Sequence, residues 1–178
     1  MRRSRLIFWI GVGLFAVVLA GLSPLPLLTG CGKSPPPVSS ATARVYTGAE
    51  LRAAVPLAFA GDTAYAEVSS AWLRAYYDQF RAEIFRQGVT KWDQRFDCNH
   101  FATYYVALAQ TKFHLANFQS RTPAQTLALG TYWYQSPRGP HAVVVALTDR
   151  GTLFIEPQTG AELQLTPEQR ASAWLRVF

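Results

Sequence analysis

Apolar side chains recur every four positions through the first half of the chain: Val68, Trp72, Tyr76, Phe80 and Ile84, with Leu73 and Tyr77 beside them. This spacing predicts one long helix over residues 65–87, closed by Gly88, with the aromatic stripe as core packing. A shorter helix is expected over 48–55, with Thr47 as N-cap and Pro56 as its stop. A second long helix is expected over 98–117, started by Asp97 as N-cap. Phe101, Ala102, Tyr104, Tyr105, Val106, Ala107, Leu108 and Ala109 make it apolar almost all round, which marks a buried central helix. Beyond it the period drops to two. Residues 126–135 read as a strand with Gly130 as a bulge. Residues 141–148 and 152–157 read as two strands around Asp149-Arg150-Gly151, and 163–165 as a further strand. Thr166-Pro167-Glu168 opens a short final helix with proline at its first position. Helices followed by an antiparallel sheet give α+β as the expected class, with the central helix packed on a small antiparallel sheet.

The N-terminus follows another rule. Arg2, Arg3 and Arg5 precede the apolar stretch 6–22, and Leu28-Thr29-Gly30-Cys31 follows. This is the order of a secretory signal, and its last four residues resemble the bacterial lipobox. The resemblance implies cleavage before Cys31 and acylation of its thiol, which would tether the protein to a bacterial cell envelope. Gly32 in place of an aspartate implies the outer membrane where the cell has one. An uncleaved N-terminal anchor is the alternative, and it leaves the domain on the same side of the membrane. The expected organisation is a signal over 1–30, a lipidated cysteine with a Pro/Ser tether over 31–42, and one domain over 43–178. Extended at ~3.1 Å per residue, the tether reaches roughly 30 Å.

Charge narrows the partners. Three of the 17 basic residues fall within 1–30, leaving 14 against 11 acidic ones, a net +3. With no Lys/Arg cluster or stripe, no nucleic-acid footprint is expected.

Acylation of Cys31 would leave Cys98 as the sole thiol of an exported chain, a setting in which an unpaired cysteine points to reactivity or an intermolecular bond. Its place in the first turn of a helix favours an anion there. The bland reading is a small buried hydrophobe. Three histidines compete as base. His100 lies two positions from Cys98 on the same helix and does not face it, and His114 lies more than four turns away. His141 comes from a strand and approaches from outside the helix. Glu156, at the end of the next strand, is the expected orienter of its imidazole, with Asp149 the alternative. That role depends on hairpin register. If Leu147 opposes Thr152, Glu156 shares a face with His141; if Thr148 opposes Thr152, it points away, and both loops are common. The Cys98 N–H is one oxyanion donor, with Gln94, Trp92 and, more weakly, Gln158 as candidates for a second. A metal reading of Asp97, Cys98 and His100 fails on spacing, so no metal is assigned.

As a set, Phe96-Asp97-Cys98-Asn99-His100-Phe101-Ala102, Pro140-His141-Ala142-Val143 and Ile155-Glu156-Pro157-Gln158 resemble the C-terminal protease domain of a fungal galactose-binding agglutinin and its bacterial and phage relatives. The resemblance covers residues 65–160 and implies a papain-like/transglutaminase-like cysteine-peptidase fold, a Cys98–His141–Glu156 triad, peptide-bond hydrolysis and calcium dependence. No lectin domain is expected beside it, and no Asp-rich loop stands near the cysteine, where Asp93 and Asp97 are the only acids. Two functions follow as expectations. One is an envelope-anchored cysteine hydrolase, or acyl transferase, acting on a protein or a cell-wall peptide. The other is a catalytically inactive binding or structural lipoprotein.

Overall fold

The computed structural model describes residues 44–118 and 122–178. The signal, Cys31, the tether and the first residue of the expected domain lie outside the described residues. Two sheets form. In the smaller, β1 (Val45–Thr47) runs antiparallel to β2 (Ala64–Ala66), and β2 runs parallel to β3 (Thr126–Leu127). The larger is built from β4 (Leu129–Ser136), β5 (Gly139–Thr148), β6 (Gly151–Ile155), β7 (Glu162–Leu163) and β8 (Leu175–Val177). It is antiparallel throughout, in the order β7-β6-β5-β4-β8. Four helices complete the set: α1 (Gly48–Ala54), α2 (Ser70–Arg86), α3 (Cys98–Asn117) and α4 (Pro167–Ala171).

The class is therefore mixed α/β, and the expected segregation of helices from a purely antiparallel sheet is corrected. Strands β1 and β2 interleave with α1, and β2–β3 is a parallel pair. The long helix predicted over 65–87 starts only at Ser70. Its first residues instead form β2, where Tyr65 pairs with Tyr46, and the Ser69 hydroxyl then caps α2 by accepting the Trp72 N–H at 3.2 Å. Ser69 thus turns a strand into a helix where apolar spacing alone predicted continuity.

α3 begins at Cys98 as expected, but it is not buried all round. Phe101, Ala102, Tyr105, Ala109 and Phe113 are buried, while Thr103, Ala107, Thr111 and His114 form an exposed stripe. The buried face packs on β4 and β5 and against α2, where Tyr76, Phe80 and Tyr105 interlock. Tyr76 and Tyr105 meet edge-on at 4.9 Å, and the Tyr76 hydroxyl donates to the Tyr105 carbonyl at 2.9 Å. Phe80 is fully buried, which contributes about 1.5–3 kcal/mol.

Gly130 is not a bulge. It pairs in register with Val145, and a Cβ there would lie 2.1 Å from the Val177 carbonyl oxygen. Its missing side chain lets β8 pass. The strand predicted over 126–135 breaks at Ala128, whose N–H donates to the Ala66 carbonyl at 2.8 Å, so the chain leaves one sheet and enters the other.

Candidate active site

The β5–β6 hairpin adopts the register with Leu147 opposite Thr152 and Thr148 opposite Gly151, which has φ +92°. The Thr148 hydroxyl accepts the Arg150 N–H at 3.0 Å and donates to the Gly151 carbonyl at 2.8 Å, fixing a two-residue loop. In this register Glu156 reaches His141. Its Oε2 lies 2.7 Å from His141 Nε2, with the side chains 15% and 23% exposed. Its Oε1 accepts the Gln158 N–H at 3.2 Å. Both carboxylate oxygens are thereby engaged, and His141 Nδ1 is the ring nitrogen left over.

The loop after Glu156 is clamped by α2. The Gln158 carbonyl accepts from the Tyr77 hydroxyl at 2.9 Å and from Arg81 Nη1 at 3.2 Å. Gly160, at φ +76°, lies so close to the Tyr77 ring that a Cβ would meet its Cδ1 at 2.6 Å. No sequence pattern announces this clamp, because Tyr77 and Arg81 fit a helix pattern equally well without it.

Cys98 is partly buried and is the free thiol among the described residues. A turn presents it. The Asp93 carboxylate accepts the N–H groups of Arg95 at 2.6 Å and Phe96 at 3.1 Å, and these bonds hold Asp93 below the usual carboxylate range. Asp97 then caps α3, its Oδ1 accepting the Asn99 N–H at 3.2 Å and lying 2.9 Å from His100 Nδ1. His100 belongs to this cap. His114 sits near the other end of α3, edge-on to Phe118 at 5.4 Å.

Cys98, His141 and Glu156 line one cavity of about 790 Å³, together with Trp92, Tyr134 and Gln158. Gln94 is exposed and outside this lining, so among the side-chain candidates for an oxyanion donor the cavity holds Trp92 and Gln158. Asp149 lies at the hairpin turn and accepts the Ser70 N–H at 2.9 Å, away from the imidazole. Tyr134 pairs directly with His141 across β4–β5, ring edge to ring face at 5.9 Å. Burial raises its hydroxyl above the ordinary phenol range, with Glu156 and Cys98 adding to the shift, so it stays a protonated donor at neutral pH.

No three His, Cys, Asp or Glu side chains among the described residues cluster to hold a metal. Calcium takes about six to eight oxygen ligands. Asp93 and Asp97 instead serve backbone N–H groups. The residues present do not fit a calcium site. No helix among the described residues is long and apolar enough to cross a membrane.

No protein-family profile matches the chain, and no curated protein matches it. Solved structures do. A Polyporus squamosus lectin bound to the human-type influenza-binding epitope Neu5Aca2-6Galb1-4GlcNAc matches at TM-score 0.56 and 20% identity, over 75% of this chain and 49% of the lectin chain. A PSL1a–E64 complex matches at TM-score 0.54 and 21% identity, over 75% of this chain and 50% of that one. The chain spans about half the length of the chains it matches. These likenesses show the fold, and they correct the papain-like/transglutaminase-like assignment: the chain is mixed α/β with a five-stranded antiparallel sheet, and it is similar in fold to about half of each of these chains.

Proposed function

We propose that the protein is a cysteine hydrolase that cleaves amide bonds in a protein or cell-wall peptide, tethered to a bacterial envelope through Cys31, as the resemblance to the agglutinin protease domain implies. The observation that carries this reading is the 2.7 Å contact between His141 Nε2 and Glu156 Oε2 in the cavity that Cys98 lines.

Each residue has a defined role. Glu156 accepts from Nε2–H and fixes the tautomer that leaves the Nδ1 lone pair free for the thiol proton. The Cys98 thiolate attacks the amide carbon, and the carbonyl becomes an oxyanion. The Cys98 N–H has no acceptor among the described residues and stands at the positive end of α3, suited to receive that oxyanion. The Trp92 indole N–H or the Gln158 side-chain amide supplies the second donor. The imidazolium returns its proton to the leaving amine as the C–N bond breaks, leaving a thioester on Cys98. Water, deprotonated by His141, then releases the acid and restores the thiol. An amine in place of water would make the same site an acyl transferase.

A second reading, ligand binding without turnover, draws on the glycan- and E64-bound states of the two structural neighbours. The test is mass spectrometry of a denatured protein mixture and of isolated cell-wall peptides after incubation with the full chain. New termini that disappear with Cys98→Ala support hydrolysis. Unchanged substrates, with glycan binding retained, favour the binding reading.

A further inference from the structure

A second cavity, of about 490 Å³, shares no lining residue with the Cys98 cavity. It lies between the end of α1, strands β4 and β6, and the α4–β8 segment, and Arg170 and Arg176 both line it. Arg176 is only 7% exposed. Its guanidinium stands 5.4 Å from the centre of the Tyr132 ring, and that of Arg170 stands 5.5 Å from the centre of the Phe154 ring. Among the described residues, each makes one side-chain hydrogen bond: Arg176 Nη2 to the Arg170 carbonyl at 3.4 Å, and Arg170 Nε to the Leu165 carbonyl at 3.2 Å.

Neither arginine has a carboxylate partner among the described residues. Every acidic residue of the chain falls between Glu50 and Glu168, and none lines this cavity. The arginines that do pair with acids are Arg44, Arg86 and Arg150. A guanidinium carries five N–H donors in a planar fork. Arg176, buried with a single acceptor, leaves most of its donors unmet, while the exposed Arg170 stands at the same cavity with its remaining donors open to water. Uncompensated buried charge is costly, and the partner that relieves it best is an anion gripped by the fork. The other walls include Val55, Leu57, Tyr132 and Phe154, a mostly apolar surface with Thr152 beside the two charges. Leu57 is 83% exposed and holds a positive φ of 62°, a conformation that costs a non-glycine residue energy.

We propose that this cavity is an anion site that takes an oxyanion head, a carboxylate or a phosphate monoester, carried on an apolar body. The site stands independently of the hydrolase reading. Phenyl phosphate, inorganic phosphate and vesicles containing an anionic phospholipid are the probes, titrated calorimetrically into the full chain at constant ionic strength. Phenyl phosphate binds saturably and more tightly than inorganic phosphate, and Arg170→Gln weakens it by about tenfold or more. Arg170 is exposed enough that this variant folds, which an unchanged Cys98 alkylation rate verifies; Arg176→Lys, which keeps charge but loses the fork, weakens binding too. Arg170-dependent binding of vesicles alone assigns the head group to a lipid. Absence of saturable binding by all three probes, or binding unchanged in Arg170→Gln, overturns the proposal.

Discussion

Replacing Glu156 with glutamine tests the site through a hydrogen-bonding conflict that the geometry makes unavoidable. Both oxygens of Glu156 accept, one toward His141 at 2.7 Å and one from the Gln158 N–H at 3.2 Å. Glutamine offers one acceptor and one donor. If its oxygen keeps Gln158, its NH2 meets His141 Nε2, which must then accept. The ring proton moves to Nδ1, the nitrogen the thiol needs as base. If its oxygen keeps His141 instead, its NH2 faces the Gln158 N–H, donor against donor, and the clamped loop loosens. In either orientation a charge-assisted bond of about 1.5–3 kcal/mol is lost or replaced by a neutral one of about 1 kcal/mol. The net loss of about 0.5–3 kcal/mol corresponds to about 2- to 150-fold in the rate at which Cys98 reacts. Iodoacetamide alkylation followed by mass spectrometry reads that rate at neutral pH, and nitrogen-15 NMR of the His141 ring reads the tautomer. An alkylation rate within about twofold of the parent, in a folded variant, would refute the assignment of Glu156 as orienter.

Three further changes test the scaffold. Gly160→Ala puts a methyl 2.6 Å from the Tyr77 ring at φ +76° and is expected to cost about 1–3 kcal/mol in urea unfolding, partly restored by Tyr77→Ala; an unchanged midpoint contradicts the clamp. Gly130→Ala drives a methyl to 2.1 Å from the Val177 carbonyl oxygen and is expected to free β8 from β4, read as loss of hydrogen-exchange protection in residues 175–177. Asp149 is held below the usual carboxylate range chiefly by the Ser70 N–H. Its charge therefore stabilises the fold above about pH 4, the ordinary carboxylate pKa, and this contribution disappears as pH falls through the lowered folded value. Asp149→Asn, which keeps an acceptor, is expected to cost about 0.5–1 kcal/mol at neutral pH, a modest figure because the group is exposed, and progressively less as pH falls through the lowered folded value. A difference that does not shrink as pH falls assigns the effect to packing.

What the sequence revealed, and what it hid, follows from how local each signal is. The start of α3 was legible because an N-cap acts within three residues, and Asp97 accepts the Asn99 N–H as such a residue does. α4 was legible for the same reason, with Thr166 accepting the Gln169 N–H and Pro167 at its first position. The hairpin register was hidden because two loop lengths suit Asp149-Arg150-Gly151 equally, and a hydroxyl on Thr148 decides between them. β2 was hidden because Tyr65 continues an apolar spacing that a helix also satisfies, and only its distant partner Tyr46 makes it a strand. Gly130 was misread because its reason is a strand 47 residues later in the chain, at Val177. Cys98, His141 and Glu156 were legible as residue types. Tyr134 as their neighbour, and the Tyr77–Arg81 grip on Gln158, emerged only from the folded arrangement.

The most direct measurement of the central claim is the alkylation rate of Cys98 between pH 5 and 8 in the parent and in His141→Ala. If Cys98 and His141 work as a pair, the parent reacts readily down to the acid end of this range, and the variant loses that low-pH reactivity by about tenfold or more. Equally slow alkylation of both proteins, rising only toward pH 8, would contradict the account and leave Cys98 an inert thiol in a cavity that binds without catalysing.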